Sequence, residues 1–206
     1  MTDESMVYLL DDEPQMLKAL ARLLRAEGFQ VRGFSSAREF LAHVRPHGPA
    51  CLVLDVAMPE IDGLSVQARL RQIDAELPIV FLTGHGDIPM SVRAMKAGAE
   101  NFLTKPVNAA ELLPAIRAAL QRAADRQSER EALAALQKRL ACLTPREREV
   151  LGHVIAGKMN KQIAADLGTG EQNIKVHRGR LMRKLGLRSV AELVRLAERL
   201  EVPPAT

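Results

Sequence analysis

The chain has 206 residues, 47% hydrophobic and 26% charged, with a net charge of +4, enough to bury one large core or two small ones. Aromatic residues make up only 3%, with no tryptophan, which leaves recognition by base stacking or an aromatic membrane belt little to work with. No apolar run reaches 18 residues and the first eight lack the order of a signal peptide, so the expected location is cytoplasmic.

Taken in order, five short runs read as strands: Val7–Leu10, Gln30–Phe34, Cys51–Leu54, Ile79–Leu82 and Asn101–Leu103. Three of them are apolar throughout, as parallel strands covered on both faces should be. Amphipathic stretches at Pro14–Glu27, Ser36–Val44, Leu64–Asp74 and Ile88–Gly98 alternate with them. Pro14 suits a first helical turn, and Gly28 and Gly98 suit carboxyl-terminal caps. The alternation predicts an α/β doubly wound five-stranded parallel sheet. Residues 108–140 then carry strong helix formers and no strand signal, predicting one long helix or two nearly in line. Asn108 with Glu111 marks its start, and Pro114 is expected to bend it. Leu112, Ile116, Ala119 and Leu120 are expected on the sheet, with the helix beyond serving as a linker.

After Cys142 the pattern is helical in short pieces. Thr144-Pro145-Arg146-Glu147 has the form of a capping box, leading to a helix that stops at Gly157. Further helices are predicted from Asn160 to Leu167, from Glu171 to Leu185 and from Ser189 to Leu200, together an all-α four-helix helix-turn-helix unit. Residues 1–124 hold 13 basic against 15 acidic side chains, and residues 125–206 hold 16 against 10. Only the second part suits a polyanion. Cys51 and Cys142 have neither CxxC spacing nor the density of a disulfide scaffold, and are expected to be reduced thiols.

The polar residues that end the strands carry the chemistry. Asp11 and Asp12 follow the first, Asp55 the third, Thr83 the fourth and Lys105 the fifth, and ligands of such sheets sit outside the carboxyl ends of the strands. Three carboxylates in one crevice raise each other's pKa unless a cation neutralises them, and an all-oxygen set suits magnesium. Lys105 and Thr83 supply a charge and a hydrogen-bond donor for an incoming phosphoryl group. Any one of these residues alone would serve as a loop-end cap; five at strand ends point to a site.

These motifs resemble a response-regulator receiver domain of two-component signalling, with a flavodoxin-like fold. Leu9-Leu10-Asp11-Asp12-Glu13-Pro14, Leu54-Asp55-Val56-Ala57-Met58-Pro59 with Asp62-Gly63, Leu82-Thr83-Gly84-His85, and Phe102 with Lys105-Pro106 carry the resemblance. It implies that a sensor histidine kinase phosphorylates Asp55. It also implies that Asp12, Asp55 and the backbone carbonyl of Ala57 hold Mg2+ or another divalent cation such as Mn2+, with Asp11 acting through a water. Thr83 and Lys105 would contact the phosphoryl oxygens, Phe102 would be the switch aromatic, and Ala57 and His85 would modulate dephosphorylation.

The third predicted helix of the second part carries Lys175, Arg178, Arg180, Arg183 and Lys184. At 100° per residue Ile174, Leu181 and Leu185 share one stripe, and Val176, Gly179 and Arg183 lie opposite, flanked by Lys175 and Arg180. A basic face with a small residue at its centre suits close approach to a major groove. Arg178 falls on the core side and is expected to pair with Glu147 or Glu149. Thr144, Asn160 and Lys161, at helix starts, are expected to hold phosphates.

Leu143-Thr144-Pro145-Arg146-Glu147, Asn160-Lys161-Gln162-Ile163-Ala164 and Ile174-Lys175-Val176-His177-Arg178 resemble the LuxR-class helix-turn-helix domain, and the whole chain resembles the FixJ/NarL type of response regulator. Thr169-Gly170 and Asn173 depart from the usual pattern, so a looser start to the recognition helix is expected. The implied organisation is a receiver at 1–122, a helical linker at 123–141 and a DNA-binding domain at 142–206. The implied function is a transcription regulator, not an enzyme beyond self-phosphorylation from a phosphohistidine and slow autodephosphorylation. Its expected partners are double-stranded DNA, the sensor kinase, RNA polymerase if it activates, and a second copy of itself through the Ile88–Gly98 helix and fifth-strand face. Two rivals remain: an aspartate-nucleophile phosphatase, which would carry a D-x-D pattern after its first strand, and a DNA-binder whose first domain works without phosphate.

Overall fold

The computed structural model describes residues 5–43, 48–73, 77–84 and 88–205. The chain forms two compact units, Met1–Glu129 and Arg130–Thr206.

In the first, β1 (Met6–Leu10), β2 (Gln30–Phe34), β3 (Ala50–Asp55), β4 (Ile79–Thr83) and β5 (Asn101–Thr104) alternate with α1 (Pro14–Ala26), α2 (Ala37–His43), α3 (Gly63–Ile73) and α4 (Ile88–Lys96). The sheet is parallel, in the order β2-β1-β3-β4-β5. The three wholly apolar runs are its central strands, and β3 and β4 are buried along their whole length. The side chains of β2 and β5, at the edges, are more open. One core packs α2, α3 and α4 against one face of the sheet through residues such as Phe40, Val66 and Ala94, beside the ring cluster of Tyr8, Phe34 and Phe40. A second core packs Leu20, Leu24, Leu112 and Ile116 of α1 and the following helix against the other face.

That helix, α5 (Ala109–Ala141), runs unbroken for 33 residues through Pro114. The sequence left open one helix or two, and the structure has one. Pro114 lies in the second turn, where its missing N–H removes a single backbone bond. Asn108 caps the start, its side-chain oxygen accepting from the Glu111 N–H at 2.9 Å.

In the second unit, α6 (Pro145–Ile155), α7 (Asn160–Asp166), α8 (Glu171–Leu185) and α9 (Val190–Arg199) close over Val150, Leu151, Ile163, Ile174 and Leu193, with Leu136 and Leu140 of α5 packed against them. The predicted capping box is formed: the Thr144 hydroxyl accepts from the Glu147 N–H, and the Glu147 carboxylate accepts from the Thr144 N–H at 2.8 Å. The same carboxylate, 3% exposed, accepts from Lys184 Nζ of α8 at 2.6 Å. The Lys184 ammonium, then the Thr144 N–H, hold the Glu147 carboxyl at about 2. A carboxyl held below its ordinary 4.5 adds stability that is fully present above that value and is lost as pH falls toward 2. Urea unfolding at a series of acid pH values is therefore expected to lose this contribution between about pH 4.5 and 2 in the wild type. Glu147→Gln is expected to be less stable at neutral pH and to show a flatter profile across that window.

Candidate functional site

Strand order reverses between β1 and β3, and a crevice opens at such a point outside the carboxyl ends of the strands. Asp55 is the last residue of β3, and Asp11 and Asp12 directly follow β1. One carboxylate oxygen from each lies within 4.8 Å of the others. Asp11 and Asp55 are buried and Asp12 is less enclosed.

Lys105, just past β5, reaches across this group. Its Nζ donates to Asp11 Oδ2 at 2.8 Å and lies 3.0 Å from Asp55 Oδ2, with Glu13 Oε1 at 3.7 Å. The remaining oxygens are bound locally: Asp11 Oδ1 accepts from the Glu13 N–H at 2.8 Å and Asp55 Oδ1 from the Ala57 N–H at 3.3 Å. Burial pushes the Asp55 carboxyl above its ordinary range, against the Lys105 ammonium, and the Asp11 charge adds to the rise. Burial alone would lower the Lys105 ammonium, but Asp11 and Asp55 hold it above its usual value. Three carboxylates therefore face one ammonium in a half-closed crevice. The surplus negative charge and the all-oxygen donor set fit a hard divalent cation.

Thr83 ends β4 and is 3% exposed, its carbonyl accepting from the Lys105 N–H at 2.7 Å. Phe102 is half-buried on β5, its ring centroid 6.1 Å from that of Phe81. Gly63 keeps the floor tight: a Cβ there would come 2.6 Å from the Asp55 carbonyl oxygen and 3.0 Å from Val56 Cα. A cavity of about 180 Å3 lies beside Asp12, lined by Ser35, Ser36, Met58 and Glu60 among others. His85 lies outside the described residues.

In the second unit, α8 buries Ile174, Leu181 and Leu185 and exposes Lys175, Val176, Gly179, Arg180 and Arg183, the face predicted from helical phase. Val176 is 43% exposed. A Cβ on Gly179 would meet nothing within 4 Å, so no packing among the described residues requires a glycine there. Arg178 is an intradomain partner as expected, but not of Glu147 or Glu149. It donates to Asn160 Oδ1 at 2.9 Å, while Glu147 is taken by Lys184 and Glu149 by Arg146. Asn160, which accepts from Arg178, is half-buried at the start of α7, Lys161 beside it is exposed, and Thr144 is exposed at the start of α6. At the unusual turn Gly170 precedes α8 without a side-chain cap, and Asn173 Nδ2 donates to Thr169 Oγ1 at 3.1 Å.

Residues 7–117 match the response regulator receiver domain family, and residues 141–197 match the luxR family of bacterial regulatory proteins. The chain belongs to the two-component response regulators with a LuxR-type DNA-binding domain. The regulator is 46% identical over 197 residues to the response regulator protein TodT of Pseudomonas putida, covering 96% of this chain and 87% of TodT. It is 40% identical over 200 residues to the transcriptional regulatory protein FixJ of Bradyrhizobium diazoefficiens, covering 97% of each. Among solved structures, the response regulator StyR is 47% identical with a TM-score of 0.86, covering 95% of this chain and 99% of that one. Full-length FixJ from B. japonicum is 37% identical with a TM-score of 0.59, covering 97% and 98%. No helix of the described residues is long and apolar enough to cross a membrane.

Sequence reasoning missed the pairing of Lys184 with Glu147 and that of Lys175 with Glu171 at 3.4 Å. The second was signalled by the i,i+4 spacing; the first needs the tertiary fold. Two outcomes follow for the regulator. In metal-free buffer at neutral pH, Asp55→Asn is expected to melt at a higher temperature than the wild type, because it removes a buried like charge and leaves Lys105 its Asp11 partner. Gly179→Ala is expected to stabilise the second unit by about 0.5–1 kcal/mol in urea unfolding while weakening DNA binding in a gel shift.

Proposed function

We propose that this regulator is a cytoplasmic transcription factor switched by phosphorylation of Asp55, with a receiver at 1–122, a helical linker at 123–141 and a DNA-binding domain at 142–206. The observation that carries the reading is Lys105 held between the carboxylates of Asp11 and Asp55 at the strand-order switch. A sensor histidine kinase presents the phosphoryl group. A carboxylate oxygen of Asp55 attacks phosphorus, the P–O bond forms, the P–N bond to histidine breaks, and the imidazole leaves.

Lys105 then turns from Asp55 toward the phosphoryl oxygens, and the Thr83 hydroxyl donates to one of them. Asp12, Asp55 and the Ala57 carbonyl would hold Mg2+ or Mn2+. Asp11, whose two oxygens already have protein partners, would act through a water. The cation supplies positive charge that offsets the carboxylates and the phosphoryl group. Ala57 has no polar side chain to orient water, so hydrolysis of the acyl phosphate is slow, and His85 modulates it.

The reshaped face comprises α4 and β5, where Phe102 turns inward and the exposed Val92 and Met95 of α4 meet a second copy. The paired DNA-binding domains then engage two half-sites through Lys175, Val176, Gly179, Arg180 and Arg183, with Thr144, Asn160 and Lys161 at the phosphates. Bound there, the dimer activates transcription through RNA polymerase. The intact protein incubated with acetyl phosphate and Mg2+ is expected to gain one phosphoryl group by mass spectrometry. Neither Asp55→Ala nor a chelated sample should gain it; an undiminished gain in Asp55→Ala would overturn the assignment.

A further inference from the structure

The linker helix and the basic helix hold each other's carboxyl ends. Arg139, in the last turn of α5, donates from Nη1 to the Leu185 carbonyl at 3.3 Å, the final residue of α8. Lys184, in the last turn of α8, donates from Nζ to the Cys142 carbonyl at 3.2 Å, one residue beyond α5. The last carbonyls of a helix have no donors of their own and carry partial negative charge, so a cation lent by a neighbouring helix answers both needs.

Three further observations fix the arrangement. Gly186 ends α8 in the left-handed region at φ 71°, and a Cβ there would lie 3.0 Å from Arg139 Nη1, so the guanidinium rests against the open side of the glycine. Leu136 and Leu140, on the same two turns of α5, pack against the core that includes Ile174, Leu181 and Leu185 of α8. Lys184 is itself anchored by Glu147.

We propose that Arg139 is a positioning residue for DNA reading, fixing the carboxyl end of α8 against the last turn of α5. The setting of Lys175, Arg180 and Arg183 against a groove then depends on the last turns of α5, which pack within the second unit. This rests on the reading of α8 as the DNA-reading helix.

The test uses full-length protein and two probes, a duplex selected by the wild type from a random-sequence pool and a random-sequence duplex of equal length, titrated over a range of salt. Arg139→Gln is expected to bind the selected duplex about three- to tenfold more weakly, with random-duplex affinity and salt dependence unchanged, and Arg139→Lys is expected to recover part of the loss. Equal weakening on both duplexes, with a salt slope shallower by about one, would make Arg139 a phosphate contact and overturn the proposal. So would unchanged affinity for the selected duplex. Arg180→Ala, measured in parallel, separates the two layers. If it too leaves selected-duplex affinity unchanged, the reading of α8 fails; if it weakens binding while Arg139→Gln does not, only the positioning role fails.

Discussion

Everything in the first unit is arranged around one ammonium that must serve more than one carboxylate. Lys105 lies within 3.0 Å of both Asp11 and Asp55, and those two acids come from adjacent strands whose order reverses between them. Burying like charges is costly unless cations answer them, and here three carboxylates gather around the one ammonium of Lys105. Apolar central strands make the arrangement possible, because β3 and β4, buried along their whole length, fix the positions of Asp55 and Thr83.

The second unit uses a similar device for the opposite end. Glu147 is almost fully enclosed, yet it accepts from Lys184 and from the Thr144 N–H, so its charge joins the start of α6 to the end of α8. Breaking such a pair leaves a buried charge unanswered and is costly, so Glu147 and Lys184 hold the two elements together. Here the helix so fixed is the one that exposes Lys175, Arg180 and Arg183. Lys175, Arg180 and Arg183, three of the 16 basic residues beyond residue 124, thus lie on a helix whose end is held from within.

Much of this was legible in the sequence because the chemistry sits at the ends of regular elements. Asp11, Asp12, Asp55, Thr83 and Lys105 each follow an apolar run, and a parallel sheet gathers such ends on one edge. The exposed face of α8 followed from helical phase alone, since Ile174, Leu181 and Leu185 leave only one side for the bases. What the sequence withheld are contacts between residues far apart in the chain. The phase of Arg178 showed that it turns inward, but whether it meets Asn160 or Glu147 depends on how α7 and α6 pack, which no local pattern encodes. Arg139 reads as one more surface arginine until α5 is seen to end beside Gly186. For Pro114 the sequence left one helix or two open, and Leu112 and Ile116, packed in the core on either side of it, belong to a single helix that runs through it.

In the proposed function, charge added at Asp55 governs what α8 does on DNA. This is tested most directly by fluorescence anisotropy, measuring the affinity of full-length protein for a duplex selected from a random pool, before and after treatment with acetyl phosphate and Mg2+. A gain of about tenfold or more is expected for the wild type and none for Asp55→Ala. Equal affinities before and after treatment of demonstrably phosphorylated wild type, or the same gain in Asp55→Ala, would contradict it.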